Sequence, residues 1–503
     1  MSTTGDDFSD RDLEQLQTHG IEQTEAKRYL ALLRQPFAAI RLSRPCSAED
    51  EIRQLDEADA LRLESGGRQA ARDGRIMKFV PASGAATRMF NDLAAAIDGP
   101  QTRAVERFFD ALDQYPFVEE LRETLQRNGI DPGDRSGTLK ALLHTGGLAY
   151  SSRAKAFIVF HRHPSGPRTA FEEQLRESVY YARDAHGDVR IHFTVAAEHL
   201  RQFQEQLRRI IERVEAETKS RLIVSFSIQH PSTDTLAIDS EGRVARNADG
   251  SLLFRPGGHG ALIRNLQETG GDLVVVKNID NILPAERQGE AARWKQVLIG
   301  LLAELQSQAH DHLRRVRSQS ASTEEVRAAA QFLEEELAIR PDSPENAADS
   351  ENLRQQLIER LDRPWRVCGV VRNEGEPGGA PFQVCDDDGH SSVQIVESSQ
   401  VDMSDDGQAQ IWKAATHFNP VDLVCGLRDA EGSGHVLSRF VDTDAVFVSP
   451  KFHDGREVKA LELPGLWNGG MAGWNTVLVE VPASTFAPVK TVFDLLRPEH
   501  QPK

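Results

Sequence analysis

Apolar positions along this chain alternate between two periods. The run Ile76-Met-Lys-Phe-Val80 predicts a short buried strand, and 156–160, 191–195, 222–228 and 273–276 read as further strands rich in Val, Ile and Phe. Amphipathic stretches separate several of them. Trp294, Val297, Leu298, Leu301, Leu302 and Leu305 fall on the i, i+3, i+4, i+7, i+8, i+11 spacing of one helix face. Strands that alternate with helices in this way predict an α/β fold with a largely parallel, buried sheet.

The same pattern divides the chain. Residues 1–75 read as a charged, helical N-terminal arm that begins near Ser9, with Leu30, Leu32 and Leu33 as its apolar contacts. Residues 76–284 form the first half of the α/β core, mostly helical over 90–145. Residues 285–362 are a helical insertion in which Ser322 and Glu325 have capping-box spacing, and 340–350, Arg-Pro-Asp-Ser-Pro-Glu-Asn-Ala-Ala-Asp-Ser, read as an exposed linker. Residues 363–503 are strand- and turn-rich and are expected to return and complete the sheet.

Composition narrows the function classes. The net charge of −18 lacks the electrostatic footprint of a nucleic-acid binder. Anionic substrates must therefore be drawn in by local positive charge or by a metal. No apolar run reaches the length of a membrane span, and the N-terminus has neither the basic region nor the apolar region of a secretory signal. The four cysteines, Cys46, Cys368, Cys385 and Cys425, fit neither a metal pair nor a disulfide framework, which suits buried thiols in the cytoplasm.

Several segments carry chemistry. In Phe79-Val-Pro-Ala82-Ser83-Gly84-Ala85-Ala86-Thr87-Arg88 a strand runs into a loop of small residues and then a helix. Small residues let backbone N–H groups approach a phosphate. The same segment, taken alone, is equally a tight turn. Lys155 stands where a cation can neutralise phosphate, or where a lysine simply snorkels at a strand start. The amide of Gln229 can donate to and accept from a pyrimidine edge, and the glycine-rich Gly257-Gly258-His259 lets backbone do likewise. Asp280 follows a buried strand, where α/β sheets place ligands, and one carboxylate there suits Mg²⁺. An aspartate at that point can instead cap a helix.

These segments, in this order, resemble those of UDP-glucose pyrophosphorylases. The Gly84 loop resembles their L-x-G-G-x-G-T-R-L loop, with Ser83 and Ala86 in place of glycines. Asn278-Ile-Asp280-Asn281 resembles N-x-D-N, and Phe486-Ala-Pro-Val-Lys490-Thr-Val-Phe-Asp-Leu-Leu resembles F-x-P-V-K-T-x-x-D-L-L. The weaker matches are Glu397 to a glutamate of L-L-E-x-x-Q-V, Asn419 to F-N-T-N-N and Glu462 to L-E-T. The chain also looks like a bacterial branch that shares the P-A-S-G-A-A-T-R-M loop and lacks the family's C-terminal β-helix domain.

The resemblance implies a three-layer, Rossmann-like nucleotidyltransferase core with a mostly parallel mixed sheet. It implies an enzyme that joins an NTP, with UTP favoured, to a sugar 1-phosphate and releases pyrophosphate. Arg88, Lys155 and Lys490 would act on the phosphates, and Asp280 would hold Mg²⁺. Ala82–Thr87, Gln229 and Gly257–His259 would bind the nucleotide, and Asn419, Glu462 and Glu397 the sugar. Two alternatives stand beside this reading: a regulator that binds nucleotide or NDP-sugar without catalysis, suggested by Ser83 and Ala86, and a glycosyltransferase that consumes an NDP-sugar.

Overall fold

Four of the expected strands form, as Ile76–Pro81, Asp188–Val195, Arg221–Ile228 and Leu273–Lys277. The computed structural model describes residues 8–35, 39–97, 99–100, 102–337, 347–375, 378–385 and 391–502. The fifth expected strand differs. Residues 155–157 make a 3-10 turn, and only Val159–His161 is extended, in a two-stranded ribbon with Arg168–Thr169. The cause is a contact remote in sequence: Lys155 N–H donates to the Gly84 carbonyl at 3.0 Å and Ala154 bridges to Ala85, which draws this backbone to the loop.

The chain divides into two units. The first comprises Met1–Asp56, Gln229–Leu273 and Leu302–Glu480, and the second Glu57–Ile228, Val274–Leu301 and Val481–Lys503. In the second unit, the strands run in the order Leu273–Lys277, Ile76–Pro81, Asp188–Val195, Arg221–Ile228. The last three are mutually parallel, in a register that aligns Phe79, His192 and Ser225. Helices Ala170–Ala182 and Leu200–Thr218 are the crossovers that parallel pairing requires. They seat on the strands through Phe157, Phe171, Phe193, Phe203 and Phe226, whose rings meet edge to face or tilted.

Two helices of this unit touch backbone to backbone. A Cβ on Gly300, in helix Gln288–Arg317, would stand 1.9 Å from the Leu63 carbonyl oxygen, and one on Gly67, in helix Glu57–Arg72, 2.0 Å from that of Gln296. Gly300→Ala is therefore expected to destabilise the protein by about 1–3 kcal/mol through overpacking, read as a lower urea midpoint. An unchanged midpoint would show that the helices can separate at no cost.

In the first unit, Ile52–Arg53, Asn475–Glu480 and Trp365–Arg372 pair in parallel, and His417–Gly426 adds antiparallel to the last. A second sheet, antiparallel throughout, contains Phe447–His453, Arg456–Glu462, Thr235–Ile238 and Phe254–Arg255. Helices Asp10–His19 and Gln23–Arg34 cover it with Leu16, Tyr29, Leu30 and Leu33 against Leu236, Ile238 and Leu461. Ser9 caps the first helix in a capping box with Asp12, and Arg246 pairs with the same carboxylate at 2.7 Å. The molecule is thus a mixed α/β fold, with parallel strand pairs in both units and a separate antiparallel sheet in the first.

The helical residues at the N-terminus divide between the units: Asp10–His19 and Gln23–Arg34 in the first, Glu57–Arg72 in the second. Short strands Leu42–Pro45 and Ile52–Arg53 lie between. Residues 285–362 fold as helices Gln288–Arg317, Thr323–Leu337 and Ala347–Leu361, and Ser322 and Glu325 form the expected capping box. The linker read at 340–350 falls largely on 338–346, outside the described residues; a helix has begun by Ala347. Residues 1–7, on which the reading of the N-terminus rests, also lie outside them. All four cysteines are free thiols, three of them buried and Cys385 partly so. Among the described residues, no helix is long and apolar enough to cross a membrane.

Candidate functional site

Strand Leu273–Lys277 is buried along its whole length and ends in the turn that carries Asp280. That turn is held from two sides. The Gln174 side-chain amide donates to the carbonyls of Asn278 and Ile279 at 3.0 and 3.2 Å. The segment 487–490 runs antiparallel beside it: Val489 N–H donates to the Asp280 carbonyl at 3.0 Å, and Ala487 N–H to the Asn281 side chain at 3.1 Å. This pairing delivers Lys490, whose ammonium stands 3.1 Å from Asp280 Oδ2. Lys155 reaches the same oxygen at 2.8 Å from the turn tied to Gly84. One carboxylate thus sits between two ammonium groups supplied by segments far apart in sequence.

Burial opposes charge on Asp280, but the two lysines outweigh it and hold its carboxyl below the usual carboxylate range. Burial lowers the Lys155 ammonium from its ordinary value, and the Asp280 charge offsets part of that. The lysines differ in access: the Lys155 side chain is 13% exposed and that of Lys490 53%. Lys490 is thus the solvent-facing cation of the pair. Asp494 fixes its backbone by accepting from the N–H groups of Lys490 and Thr491 at 2.8 and 2.6 Å.

The small-residue loop joins this cluster. Ala82 N–H donates to Thr194, Ala86 N–H to Arg153 and the Thr87 hydroxyl to Ser151. Ser83, Gly84, Ala85 and Arg88 are exposed, and a Cβ at Gly84 would meet nothing within 4 Å. The element after the loop is a four-residue 3-10 turn, Thr87–Phe90, followed by the short helix Asn91–Ala95. Such short pieces have little dipole to offer an anion, so the charge at this site comes from the lysines.

The base and sugar candidates lie in the first unit. Gly258 has φ +72°, and a Cβ there would stand 2.8 Å from a Glu462 carboxylate oxygen, so the glycine permits this close approach. His259 stacks on Trp467 with ring centroids 4.2 Å apart and accepts from Leu466 N–H; its other ring nitrogen stands 3.9 Å from Glu397. Burial raises Glu397, and the Glu462 charge adds to this against a hydrogen bond from Trp467. Lys451 pairs with Glu462 at 3.3 Å. Gly257 accepts from Leu463 N–H. The Gln229 side-chain nitrogen is buried without a hydrogen-bond partner among the described residues. Asn419 stands apart: its amide donates to the Gly369 carbonyl at 3.1 Å and accepts from Val421 N–H at 2.9 Å, holding Val421 at φ 58°.

Gln174, Asp494 and Trp467 were not among the residues singled out in the sequence. Asp494 had a signal, the Thr491-x-x-Asp494 capping-box spacing, and that box forms. Gln174 and Trp467 act through contacts with no local pattern.

Two histidines give a pH expectation. Burial lowers His259 to about 4; burial, with the neighbouring His161, lowers His500 to about 3. Both bind fewer protons folded than unfolded, so their contribution to stability is complete above the unfolded value of about 6.5 and is lost as pH falls towards the folded values. The melting temperature is expected to decline below that pH, and His500→Phe to flatten the decline. An unchanged slope in the variant would remove His500 from the account.

The Lys155–Asp280–Lys490 cluster thus stands at the end of a buried strand, which is where open α/β sheets place ligands. The chain belongs to the family described as Domain of unknown function (DUF4301), whose model matches residues 9–501. No curated protein sequence matches it. Among solved structures it is similar to the uridine diphosphate N-acetylglucosamine pyrophosphorylase of Trypanosoma brucei, at 13% identity and TM-score 0.49, over 98% of this chain and 85% of that one. It is also similar to a UDP-glucose pyrophosphorylase of Leishmania major in complex with UDP-glucose, at 14% identity and TM-score 0.45, over 100% of this chain and 82% of that one. These likenesses concern the course of the chain and assign no residue a role.

Proposed function

We propose that the protein is a nucleotidyltransferase that makes an NDP-sugar and pyrophosphate from an NTP, with UTP favoured, and a sugar 1-phosphate. The observation that carries this reading is the Lys155–Asp280–Lys490 cluster beside the Gly84 loop. The order of the resembling segments supports it. A phosphate oxygen of the sugar 1-phosphate attacks the α-phosphorus; the bond to the β-phosphate oxygen breaks, and pyrophosphate leaves with the electron pair. No protein nucleophile is required, and positioning with charge neutralisation supplies the catalysis. In this mechanism Lys155 and Lys490 take up charge on the phosphates, and the exposed guanidinium of Arg88 holds the triphosphate. Gln229 and Gly257–His259 read the base, Glu397 and Glu462 hold the sugar, and Asn419 serves it indirectly through the Val421 turn that its engaged amide orders.

Asp280 fits Mg²⁺ as a single protein ligand. Its Oδ2 faces both lysines while Oδ1 has only Lys490, at 3.4 Å, and no group of three or more His, Cys, Asp or Glu able to hold a metal exists among the described residues. The other ligands would be phosphate oxygens and water, the usual habit of Mg²⁺. When bound, the ion supplies Lewis-acid polarisation of the phosphate.

The test is pyrophosphate release with Mg²⁺, each of the four NTPs and a panel of sugar 1-phosphates. Lys155→Ala and Lys490→Ala are each expected to lower turnover about 10²- to 10³-fold. Nucleotide binding with no release across the panel would replace this reading with the regulator. Transfer of sugar from an NDP-sugar to an acceptor would replace it with the glycosyltransferase.

A further inference from the structure

A cavity of about 220 Å³ opens in the first unit, lined by Ser43, Arg44, Arg360, Gln383, Ser391, Ser392, Trp474 and Thr476 among others. None of these residues belongs to the Lys155–Asp280–Lys490 cluster. Its charge is unusual for a chain of net charge −18. The Arg360 side chain is half-buried, donates no hydrogen bond to a described residue, and its Nε is buried without a partner among them. Among the described residues no carboxylate faces it; its charged neighbour is Arg363, which is half-buried and beside Glu359. Burial and Arg363 lower Arg360 to about 9, yet a guanidinium stays protonated at neutral pH, so the site carries a desolvated positive charge.

The rest of the lining is built to donate. The Trp474 indole N–H is buried and has no partner. The Thr476 hydroxyl accepts from Arg366 Nε at 2.8 Å, which turns its own proton outward. Arg366 is fully buried, gives its other hydrogen bond to the Trp467 carbonyl, and has no carboxylate partner either. Three serine hydroxyls add further donors. The acids at the rim are already paired: Glu51 and Asp50 with Arg44, and Glu51 also with Gln383 at 3.2 Å. The Gln383 side-chain oxygen is the one acceptor left buried without a partner.

We infer that this cavity is a binding site for a small phosphate-type oxyanion, held by Arg360 with the Trp474 indole and the serine hydroxyls. The volume is below the roughly 300 Å³ at which drug-sized ligands begin to fit, so a nucleotide is too large and inorganic phosphate, pyrophosphate or the phosphate end of a small metabolite is the class. An arginine left without an internal carboxylate is the expected design where the counter-charge arrives with the ligand.

The experiment is thermal unfolding of the full chain titrated with inorganic phosphate, pyrophosphate and a sugar phosphate. A saturable rise in melting temperature is expected in the wild type and equally in a Lys155→Ala/Lys490→Ala double variant, which removes phosphate binding at the proposed reaction centre. Arg360→Met should abolish the rise without lowering the ligand-free melting temperature, since it removes a buried unpaired charge. Trp474→Phe keeps the ring and removes one donor, and should weaken binding about tenfold or more. Preference for the sugar phosphate over the free anions would name the organic source, and the reverse the free anion. A rise that is absent, that disappears in the lysine double variant, or that survives both Arg360→Met and Trp474→Phe would overturn the site while leaving the nucleotidyltransferase reading untouched.

Discussion

Replacing Asp280 by asparagine is expected to lower pyrophosphate release by two or more orders of magnitude while leaving the protein folded. Asparagine keeps the side-chain shape, and the Asp280 carbonyl still accepts from Val489 N–H, so the turn and the 487–490 segment stay in register. What is lost is the charge. Lys155 and Lys490 now stand at 2.8 and 3.1 Å from a neutral amide and repel each other. Lys490, half exposed, is then free to swing away, and the Mg²⁺ proposed for this carboxylate would lose its one protein ligand. An interaction that acts on charge developing in the transition state is typically worth 10²- to 10³-fold, and this substitution removes two such effects together. Turnover within a few-fold of wild type, with unchanged Mg²⁺ dependence, would remove Asp280 from the mechanism.

The second large effect is on stability. Glu177 lies fully buried between Lys78 and Lys277, with Lys78 at 2.7 Å, and with Lys295 close by and also buried. The Lys78 ammonium also donates to the Gln174 carbonyl, and the Gln174 side chain holds the turn of Asp280. Burial disfavours a charged Glu177, but Lys277 and Lys78 outweigh it and hold it at about 2; burial lowers Lys78 to about 8 despite Glu177. Glu177→Gln leaves two desolvated ammonium groups without a carboxylate, which should cost about 3–5 kcal/mol. In the variant, the lysines bind protons more weakly folded than unfolded, so stability rises with pH and the loss shrinks as the medium becomes alkaline. Urea unfolding at neutral pH and about two pH units higher measures both. A loss under about 1 kcal/mol that is the same at both pH values would show that water or relaxation compensates the charges.

Much of the fold could be read along the chain because local forces set it. The buried strand Leu273–Lys277 follows from an unbroken apolar run, and the helix at 288–317 from its i, i+3, i+4 stripe. Ser9 and Ser322 start helices because their hydroxyls satisfy backbone N–H groups that any helix leaves open. The strand read at 156–160 failed for a non-local reason: the Gly84 loop pairs with residues 153–155 just before it and turns the backbone there. The helices at 10–34 carry the apolar stripe of a cap on the main body, but the sheet they cover comes from residues more than two hundred positions away, which no local pattern names.

For the site, the sequence by itself determined the residue types: a carboxylate after a buried strand, a loop without bulky side chains, and lysines in two separate segments. Only the tertiary structure decided that Lys155 and Lys490 converge on one oxygen of Asp280, that Asn419 has its amide engaged by backbone, and that half-buried Arg360 faces no carboxylate among the described residues. Composition fixes how many charges a chain has; which of them meet, and which lose their water without a partner, is set by packing between segments remote in sequence.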